Sequence, residues 1–373
     1  MSTPRIEVDL SKVRHNTQTV VKRLEKRGIN VTGVTKASCG NPNVAEAMLC
    51  GGALGLADAR LSNVQRLRTA GLTCPITLIR TPMLSQAEQV VQICDTSYNT
   101  EIVVIAALAA AAIRKNTVHD IILMVEMGDL REGILPENLA TIAQYVMRLP
   151  GVALKGIGSN FACLSGIPPN ASKMAALCDL ATETEGVCGT FLKTVSGGGS
   201  ASLPWALGRQ SKGRINDLRL GEAILLGVDP VTGDQIGGLY TDAFTLVAEV
   251  IETDTEPVFP PANFGDPALV RLHLVPNSGH TTRLLLAIGY QDTDVSGLSM
   301  PSGHTFVDAT SDHLVICTNR SPLPVGAELR FQMNYKALMQ AMAAPDIDTR
   351  LLHDRSSMRS RDIQGTSKDL ASV

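Results

Sequence analysis

Strand-like and helix-like segments alternate over residues 5–226 of this 373-residue chain, from the run Arg5–Leu10 to the run Leu218–Leu226. Short apolar or β-branched runs, such as Asn30–Thr35 and Asp120–Glu126, are each followed by apolar residues at helical spacing. Because this alternation favours parallel strands joined by right-handed crossovers, about eight such units predict an α/β fold, a (β/α)8 TIM-type barrel. A doubly wound sheet is the alternative, although no GxGxxG follows the first strand.

The alternation ends at Ile236, and strand-like runs then follow with turn-rich segments, but no helices, between them. We therefore predict a barrel domain over 1–235, an all-β domain over 236–345 and a polar, flexible tail over 346–373. The predicted strands of the all-β domain are Phe244–Ile251, Val270–Val275, Arg283–Ile288, Asp312–Cys317 and Leu329–Met333.

Composition argues against several classes of function. The net charge of -3 gives no basic field for nucleic acid or anionic lipid, and 3% aromatic residues provide few platforms for base stacking.

The eight cysteines form no CxxC pair, which is typical of free thiols in a reducing compartment. The longest apolar run, Ile102–Ile113, is too short to span a bilayer, and no signal peptide precedes the first strand. We expect a soluble, cytoplasmic protein.

Lys36 lies where the apolar strand Asn30–Thr35 ends, and a turn containing Gly40 and Pro42 follows. An ammonium group in an apolar setting is unfavourable unless it finds water, a partner or a covalent role. Desolvation lowers the pKa of a lysine and leaves a neutral amine that attacks carbonyl groups, which is how Schiff-base lysines form. From this stretch alone, a lysine that snorkels out of the strand end is the alternative.

The segment 196–202, SGGGSAS, follows a predicted strand and has the composition of an anion site. Consecutive glycines allow the backbone to approach a ligand closely, and their N–H groups can surround an anion. Together with the hydroxyls of Ser196 and Ser200, these groups suit a phosphate. A flexible turn is the alternative, and no GxxxxGK[ST] motif is present.

The segment 218–227, LRLGEAILLG, would complete such a phosphate site. Gly221 and Glu222 could present N–H groups to the same anion, because barrels often bind phosphate after strands seven and eight. Arg219 lies among apolar residues of this segment, and a structural ion pair is the alternative role for it.

Two further segments follow predicted strands and carry polar side chains. EMGDLREG, residues 126–133, would place Arg131 beside carboxylates that hold it at the carboxyl end of the barrel. GIGSNFAC, residues 156–163, would place Asn160 at the same end. A solvated charged loop and an asparagine that caps a turn are the respective alternatives.

A strand-end lysine, a phosphate cradle and an arginine behind it point to pyridoxal 5'-phosphate, an aldehyde cofactor that carries a phosphate. The opening IEVDLSKVRHN, followed by VTKA, resembles the fold-type III pyridoxal-phosphate enzymes of the alanine racemase superfamily. Further motifs resemble the alanine/ornithine racemase family within it, and the resemblance covers nearly all of residues 5–345. These motifs are VEMGDLREG, GIGSNFAC, SGGGSAS, LRLGEAILLG and DATSDHLV.

The resemblance implies a role for each matching residue. Lys36 matches the lysine that carries the cofactor as a Schiff base and acts as one of two bases. Arg219 matches the arginine that faces the pyridine nitrogen, and Arg131 matches an arginine near the phenolic oxygen of the cofactor and the substrate carboxylate. The residues implied to bind the cofactor are Lys36, Arg131, Asn160, Ser196, Ser200, Arg219, Gly221, Glu222 and Tyr335.

The β domain is implied to complete the active site of a partner subunit. Tyr290 in AIGYQDTD resembles the tyrosine of the GYADG segment in alanine racemases, which is the opposite-face base supplied by the other subunit. Ser311 and Asp312 in DATSDHLV, with Arg131, are implied to contact the substrate. The resemblance therefore implies a homodimer with shared active sites.

The implied activity is racemisation of an amino acid by two-base transfer of the α-proton. The chain departs from alanine racemase itself, because VTKASCGNP lacks the tyrosine that follows the lysine there and Asn160 stands where a histidine is usual. Alanine, serine, lysine, arginine and ornithine all remain candidate substrates. The alternatives are a metal-assisted lyase of the same fold type acting on D-hydroxy amino acids, and a carrier that binds the cofactor without turnover. We expect no metal in the racemase.

Overall fold

The computed structural model describes residues 4–254 and 282–352. The described chain forms two compact units. We call residues 10–241 the barrel unit, and residues 4–9, 242–254 and 282–352 the sheet unit.

Eight parallel strands of the barrel unit close into a barrel, as predicted. The ring closes where Val31 pairs with Leu218 and Gly33 with Leu220. Most strand residues are buried, as expected for a parallel sheet that is covered by helices. After a first strand β1 (Arg5–Asp9), the elements of this unit are α1 (Leu10–Glu25), β2 (Asn30–Val34), α2 (Pro42–Cys50), β3 (Gly55–Asp58), α3 (Leu61–Thr69), β4 (Ile76–Leu78), α4 (Ala87–Ile93), β5 (Thr96–Asn99), α5 (Ile102–Arg114), β6 (His119–Val125), α6 (Pro136–Arg148), β7 (Val152–Ser159), α7 (Ala171–Cys188), β8 (Thr194–Ser196), α8 (Leu203–Leu207), β9 (Asp217–Leu220) and α9 (Glu222–Leu226).

The helix starts follow from local sequence. Asn41 caps α2, because its side-chain oxygen accepts from the backbone N–H groups of Asn43 at 3.0 Å and Val44 at 3.3 Å. Pro42 and Pro136 occupy the first helical positions of α2 and α6, where a missing N–H is harmless. These signals end the segment 35–41, which carries Lys36, and the segment 126–135, which carries Arg131.

The sheet unit contains six antiparallel strands. The strand β1 joins this sheet in antiparallel pairing, and the last strand of the described chain pairs in parallel with β1. This sheet confirms the predicted C-terminal β domain. Residues Leu329, Phe331 and Met333 alternate with exposed neighbours, as expected for a strand with one buried face. The elements are β10 (Phe244–Asp254), β11 (Thr282–Leu286), β12 (Leu298–Ser299), β13 (His304–Ala309), β14 (Leu314–Thr318), β15 (Glu328–Met333), α10 (Tyr335–Ala341) and β16 (Asp348–Leu352). The strand order is β12-β15-β10-β11-β14-β13, with β1 beside β10 and β16 beside β1.

Both ends of the predicted barrel series were wrong. The strand predicted over Arg5–Leu10 ends at Asp9 and pairs with β10 and β16 in the sheet unit, so it takes no part in the barrel. The strand predicted over Leu218–Leu226 is β9 followed by the helix α9. A short, wholly apolar run does not distinguish a strand from a buried helical turn.

The described sheet unit differs from the prediction in four places. The strands β12 and β13 and the helix α10 were not predicted, and Asp348–Leu352 is a strand within the predicted tail. That strand is held because its backbone pairs with β1 from Arg5 to Asp9. The predicted strand Val270–Val275 and residues 353–373 lie outside the described residues.

Candidate active site

Most predicted barrel residues follow the carboxyl ends of its strands. Lys36 follows β2, Arg131 follows β6 and Asn160 follows β7, while Arg219 lies within β9. Because parallel strands point the same way, these ends share one face of the barrel, where TIM-barrel active sites lie. Ser196, Ser200, Gly221 and Glu222 belong to the β8 and β9 ends of the same face.

The turn that carries Lys36 is anchored by a buried carboxylate. The backbone N–H of Thr35 donates to Ala57 O at 2.9 Å, and its hydroxyl donates to Asp58 Oδ2 at 2.7 Å. Asn63 donates to the other oxygen of Asp58 at 3.0 Å. Burial raises the pKa of Asp58, while these hydrogen bonds oppose the rise. Sequence reasoning missed Asp58; an acidic residue at the end of a buried strand was the available signal.

Arg219 is buried and surrounded by fixed acceptors. Its Nη2 donates to Ser159 O at 2.7 Å and to Asn160 Oδ1 at 2.8 Å. Its Nη1 donates to Ser196 Oγ at 3.3 Å. The guanidinium also lies over the ring of Tyr98, with 4.5 Å between the guanidinium carbon and the ring centroid. Arg219, Asn160 and Ser196, each implied by the resemblance to bind the cofactor, are thus in direct contact.

The glycine-rich segment forms a turn against the start of α9. Ser200 Oγ accepts from the backbone N–H groups of Gly221 at 3.3 Å and Ala223 at 3.1 Å. Gly198 has φ +101°, and a Cβ there would lie 2.8 Å from the hydroxyl of Ser202. That hydroxyl is buried and has no hydrogen-bond partner within residues 4–254 and 282–352. Glycine backbone, an unsatisfied hydroxyl and a helix start fit a phosphate group.

Glu222 opens α9 near Lys36. Desolvation raises the pKa of the Glu222 carboxyl to about 7, and the positive charge of Lys36 acts in the opposite direction. Burial thus favours the neutral form of this carboxyl. Sequence reasoning considered only the backbone of Glu222, whereas its side chain is also part of the site.

The loops after β6 and β7 are tied together by two acidic residues. Asp129 Oδ1 accepts from the backbone N–H groups of Cys163 at 2.8 Å and Leu164 at 3.0 Å. Glu132 accepts from Asn160 Nδ2 at 2.8 Å and forms an ion pair with Arg131. Hydrogen bonding to Glu132 raises the pKa of Arg131. For the segment 126–133, these contacts therefore favour carboxylates that hold Arg131 over the alternative of a solvated charged loop.

The sheet unit brings Tyr290 together with Ser311 and Asp312. The backbone N–H of Tyr290 donates to Thr310 O at 2.9 Å, and that of Gln291 donates to Ser311 O at 3.0 Å. The Ser311 hydroxyl donates to the Asp312 carboxylate. Tyr290 itself is 56% exposed.

Tyr335 begins α10, whose N-cap is Asn334. The side chain of Asn334 accepts from the backbone N–H of Ala337 at 2.9 Å, so the helix start that carries Tyr335 is fixed locally.

Two absences concern only the described part of the chain. Across residues 4–254 and 282–352, no three His, Cys, Asp or Glu side chains form a group that could hold a metal ion. Nor does any helix in those ranges have the length and apolar character needed to cross a bilayer.

Comparison with known proteins identifies the family. Residues 8–230 match the family model described as alanine racemase, N-terminal domain. The chain belongs to the alanine racemase family. This racemase is 33% identical to the ornithine racemase of Acetoanaerobium sticklandii, over 94% of its own length and 99% of the relative. It is also 33% identical to the lysine racemase of Thermotoga maritima, over 93% and 98%. An alanine racemase of Caldanaerobacter subterraneus is 31% identical over only 42% of each chain.

Solved structures agree with the fold. The alanine racemase of Streptomyces lavendulae superposes with a TM-score of 0.74 at 19% identity, covering 96% of this chain and 99% of that one. The D-threonine aldolase of Filomicrobium marinum superposes with a TM-score of 0.70 at 16% identity, covering 91% and 88%. The fold is thus shared with lyases. The near full-length sequence match to two racemases makes this family member an amino-acid racemase, an isomerase. Enzymes of the alanine racemase family depend on pyridoxal phosphate.

Proposed function

We propose that this racemase uses pyridoxal 5'-phosphate to interconvert the enantiomers of a basic amino acid of the ornithine and lysine class. The observation that carries the substrate class is the extent of the sequence matches. The ornithine and lysine racemases align over nearly the whole chain, sheet unit included, whereas the alanine racemase of Caldanaerobacter aligns over less than half of it.

The proposed cofactor site lies at the carboxyl end of the barrel. Lys36 would carry the cofactor, and the SGGGSAS turn with Ser196, Ser200 and the start of α9 at Gly221 and Glu222 would hold its phosphate. The unsatisfied Ser202 hydroxyl beside Gly198 supports this assignment. Bound there, pyridoxal 5'-phosphate would supply an electron sink for the α-carbanion of the amino acid.

The remaining assignments concern orientation. Arg219, fixed by Ser159, Asn160 and Ser196, would face the pyridine nitrogen, and its rigid hold supports a role in orienting the ring. Arg131 would bind the substrate carboxylate, for which a planar guanidinium is well suited. Tyr335 would add a hydrogen bond to the phosphate.

Racemisation needs a proton to be removed on one face of the substrate and returned on the other. We assign Lys36 Nζ to one face and the Tyr290 hydroxyl to the other, with Ser311 and Asp312 beside the tyrosine contacting the substrate. Tyr290 would come from a second subunit, so the enzyme would be a homodimer with shared active sites. The exposure of Tyr290 in one chain supports this assignment.

We also propose that the racemase works in the cytoplasm and binds neither nucleic acid nor membrane. The cysteines at all eight positions of the sequence are unpaired in the structure, which suits a reducing compartment. The net charge of -3 offers no basic field for polyanions.

The test is direct product analysis. The purified protein, loaded with pyridoxal 5'-phosphate, is incubated with single L-amino acids, and the enantiomers are resolved by chiral chromatography. We expect D-ornithine or D-lysine to form at least about tenfold faster than D-alanine, because a site built for a charged side chain leaves polar groups unpaired with alanine.

Faster inversion of alanine would refute the proposed substrate class. Absence of inversion with ornithine, lysine, alanine, serine and arginine would refute the proposed turnover and favour the lyase or the carrier. Cleavage of D-hydroxy amino acids that responds to a chelator would identify the lyase.

A further inference from the structure

Glu132 is the acidic end of a hydrogen-bonded chain that reaches the buried Arg219. Its Oε1 accepts from Asn160 Nδ2 at 2.8 Å, and Asn160 Oδ1 in turn accepts from Arg219 Nη2 at 2.8 Å. The same carboxylate accepts from Arg131 through Nη2 and Nε. One carboxylate thus joins the two arginines assigned to the cofactor and the substrate.

These partners leave one orientation for the Asn160 amide. Arg219 can only donate, so it requires the amide oxygen, and ionised Glu132 can only accept, so it requires the amide nitrogen. If Glu132 were apolar, the half-buried Asn160 Nδ2 would lose this acceptor and the amide would be free to turn. Arg219 would then lose one of its fixed acceptors.

Arg219 forms no ion pair with a carboxylate within the described residues. Instead, carboxylates lie one hydrogen bond further away on two sides. Glu132 is reached through Asn160, and Asp217 is reached through Ser196, whose hydroxyl donates to Asp217 Oδ2 at 2.5 Å. Neutral groups therefore hold the guanidinium in place, while the compensating charge stays at a distance.

We propose that Glu132 is a positioning residue of the racemase: through Asn160 it fixes the Arg219 guanidinium, and through a direct ion pair it fixes Arg131. The proposal rests on the cofactor site described above. It assigns the Asn160 contact to cofactor binding and the Arg131 contact to substrate binding, so the two contacts are separable by measurement.

The test is a double-mutant cycle with Glu132→Leu, Asn160→Ala and the double variant. The dissociation constant for pyridoxal 5'-phosphate is measured by titrating the apoprotein and following cofactor absorbance, and KM and kcat are measured with ornithine or lysine. We expect each single variant to raise the cofactor dissociation constant about tenfold, the effect of one hydrogen bond to a charged group. The double variant should match Asn160→Ala alone, because Glu132 acts through Asn160.

The Arg131 contact predicts a different pattern for the substrate. Glu132→Leu should raise KM about tenfold in the wild-type background and again in the Asn160→Ala background, because this contact bypasses the amide. Glu132→Met, which keeps the side-chain length but replaces the carboxylate by a weak acceptor, repeats the measurements if the leucine variant does not fold. Fully additive effects on cofactor affinity would overturn the proposal.

Glu126 provides a matched control in the same loop. Its carboxylate accepts from the backbone N–H groups of Gly128 at 2.5 Å and Leu130 at 3.1 Å, and within residues 4–254 and 282–352 it forms no hydrogen bond with Asn160 or Arg131. Glu126→Leu should lower the unfolding midpoint but leave cofactor affinity within about twofold of wild type. An equal loss of cofactor affinity would reduce Glu132 to a loop-shaping role. If wild type binds no pyridoxal 5'-phosphate, the proposed function fails, which is a separate result.

Discussion

At the scale of single residues, Lys36 has the most distinctive expected role. Lys36→Ala removes the amine that would form the imine, so the purified protein should lack the absorbance of a lysine-bound cofactor and lose activity. Spectra before and after borohydride reduction, with peptide mapping of wild type, measure this. Lys115→Ala, at the exposed end of α5, is the control and should keep both properties. A reduced label on another lysine would contradict the assignment.

Gly198 tests the phosphate cradle. Gly198→Ala would place a Cβ 2.8 Å from Ser202 Oγ and 3.1 Å from the ring of Phe161, at φ +101°. We expect the affinity for pyridoxal 5'-phosphate to fall more than about tenfold, while the affinity for pyridoxal, which lacks the phosphate, changes little. Both are measured by titration of the apoprotein.

Gly166 is the matched control for Gly198. It also has positive φ, at +67°, but a Cβ there meets nothing within 4 Å. Gly166→Ala should therefore cost about 1 kcal/mol of folding free energy through backbone strain and leave cofactor affinity unchanged. Equal losses of affinity in the two alanine variants would argue against a cradle at Gly198.

The sequence could identify site residues whose type is unusual for their setting. Lys36, at the end of an apolar strand, and Arg219, among apolar residues, are charged side chains in unusual settings, which made them visible without a structure. Asp58 was missed and Glu132 was predicted only as a carboxylate beside Arg131, because their contacts with Thr35 and Asn160 join residues that are distant in sequence. Such contacts depend on the register of neighbouring strands, and that register is set by the whole barrel.

At the scale of elements, periodicity predicted the barrel strands to within a few residues but failed for isolated short runs. The α9 segment reads as a strand because Ala223–Leu226 is buried throughout, so it shows neither helical nor alternating periodicity. The strand β13 was missed because Thr305, Phe306 and Asp308 are exposed, which leaves little apolar signal.

The pairing of β5 with β6 contains a buried histidine with a pH-dependent effect. His119 Nε2 lies 2.8 Å from Ser97 Oγ, and burial lowers the pKa of His119 from 6.5 to about 4. The unfolded chain therefore binds a proton at higher pH than the folded one. His119 therefore contributes to the free energy of unfolding above pH 6.5, and this contribution is lost as the pH falls from 6.5 towards 4.

We expect the free energy of unfolding of the apoprotein to fall by about 3 kcal/mol from this group between pH 7 and pH 4. His119→Gln, which does not titrate, should lack that part of the loss, and urea unfolding at several pH values measures it. His15→Gln is the control, since His15 is exposed on α1. If His119→Gln kept the full acid sensitivity of wild type, other groups would be responsible.

At the scale of the whole molecule, the first strand joins the end of the chain rather than the barrel that follows it. β1 pairs with β10 on one side and β16 on the other. Sequence reasoning placed β1 in the barrel because its helix α1 follows directly, as in every barrel unit. Which sheet a strand enters depends on long-range pairing, which local sequence does not encode.

The pairing of β1 contains a buried ion-pair cluster that allows a test of its contribution. Arg5 has a side chain only 5% exposed and forms ion pairs with Glu7 at 2.8 Å and Glu328 at 2.6 Å. Arg330, whose side chain is 51% exposed, also contacts Glu7. Arg350, whose side chain is 46% exposed, lies 3.9 Å from the same carboxylate. Removing the buried cation therefore leaves the buried Glu7 carboxylate with only partly exposed partners.

Arg5→Met should therefore lower the free energy of unfolding by about 3 kcal/mol, whereas Arg330→Met should lower it by less than about 1 kcal/mol, because exposed ion pairs contribute little. Urea unfolding followed by circular dichroism measures both variants.

Trp205, the one tryptophan of the sequence, lies in α8 of the barrel unit, so its fluorescence follows that unit. Because β1 pairs only with strands of the sheet unit among those described, the dichroism transition should shift more than the fluorescence transition. A larger shift in fluorescence would mean that β1 stabilises the barrel instead, and equal effects of the two methionine variants would mean that burial of Arg5 adds nothing.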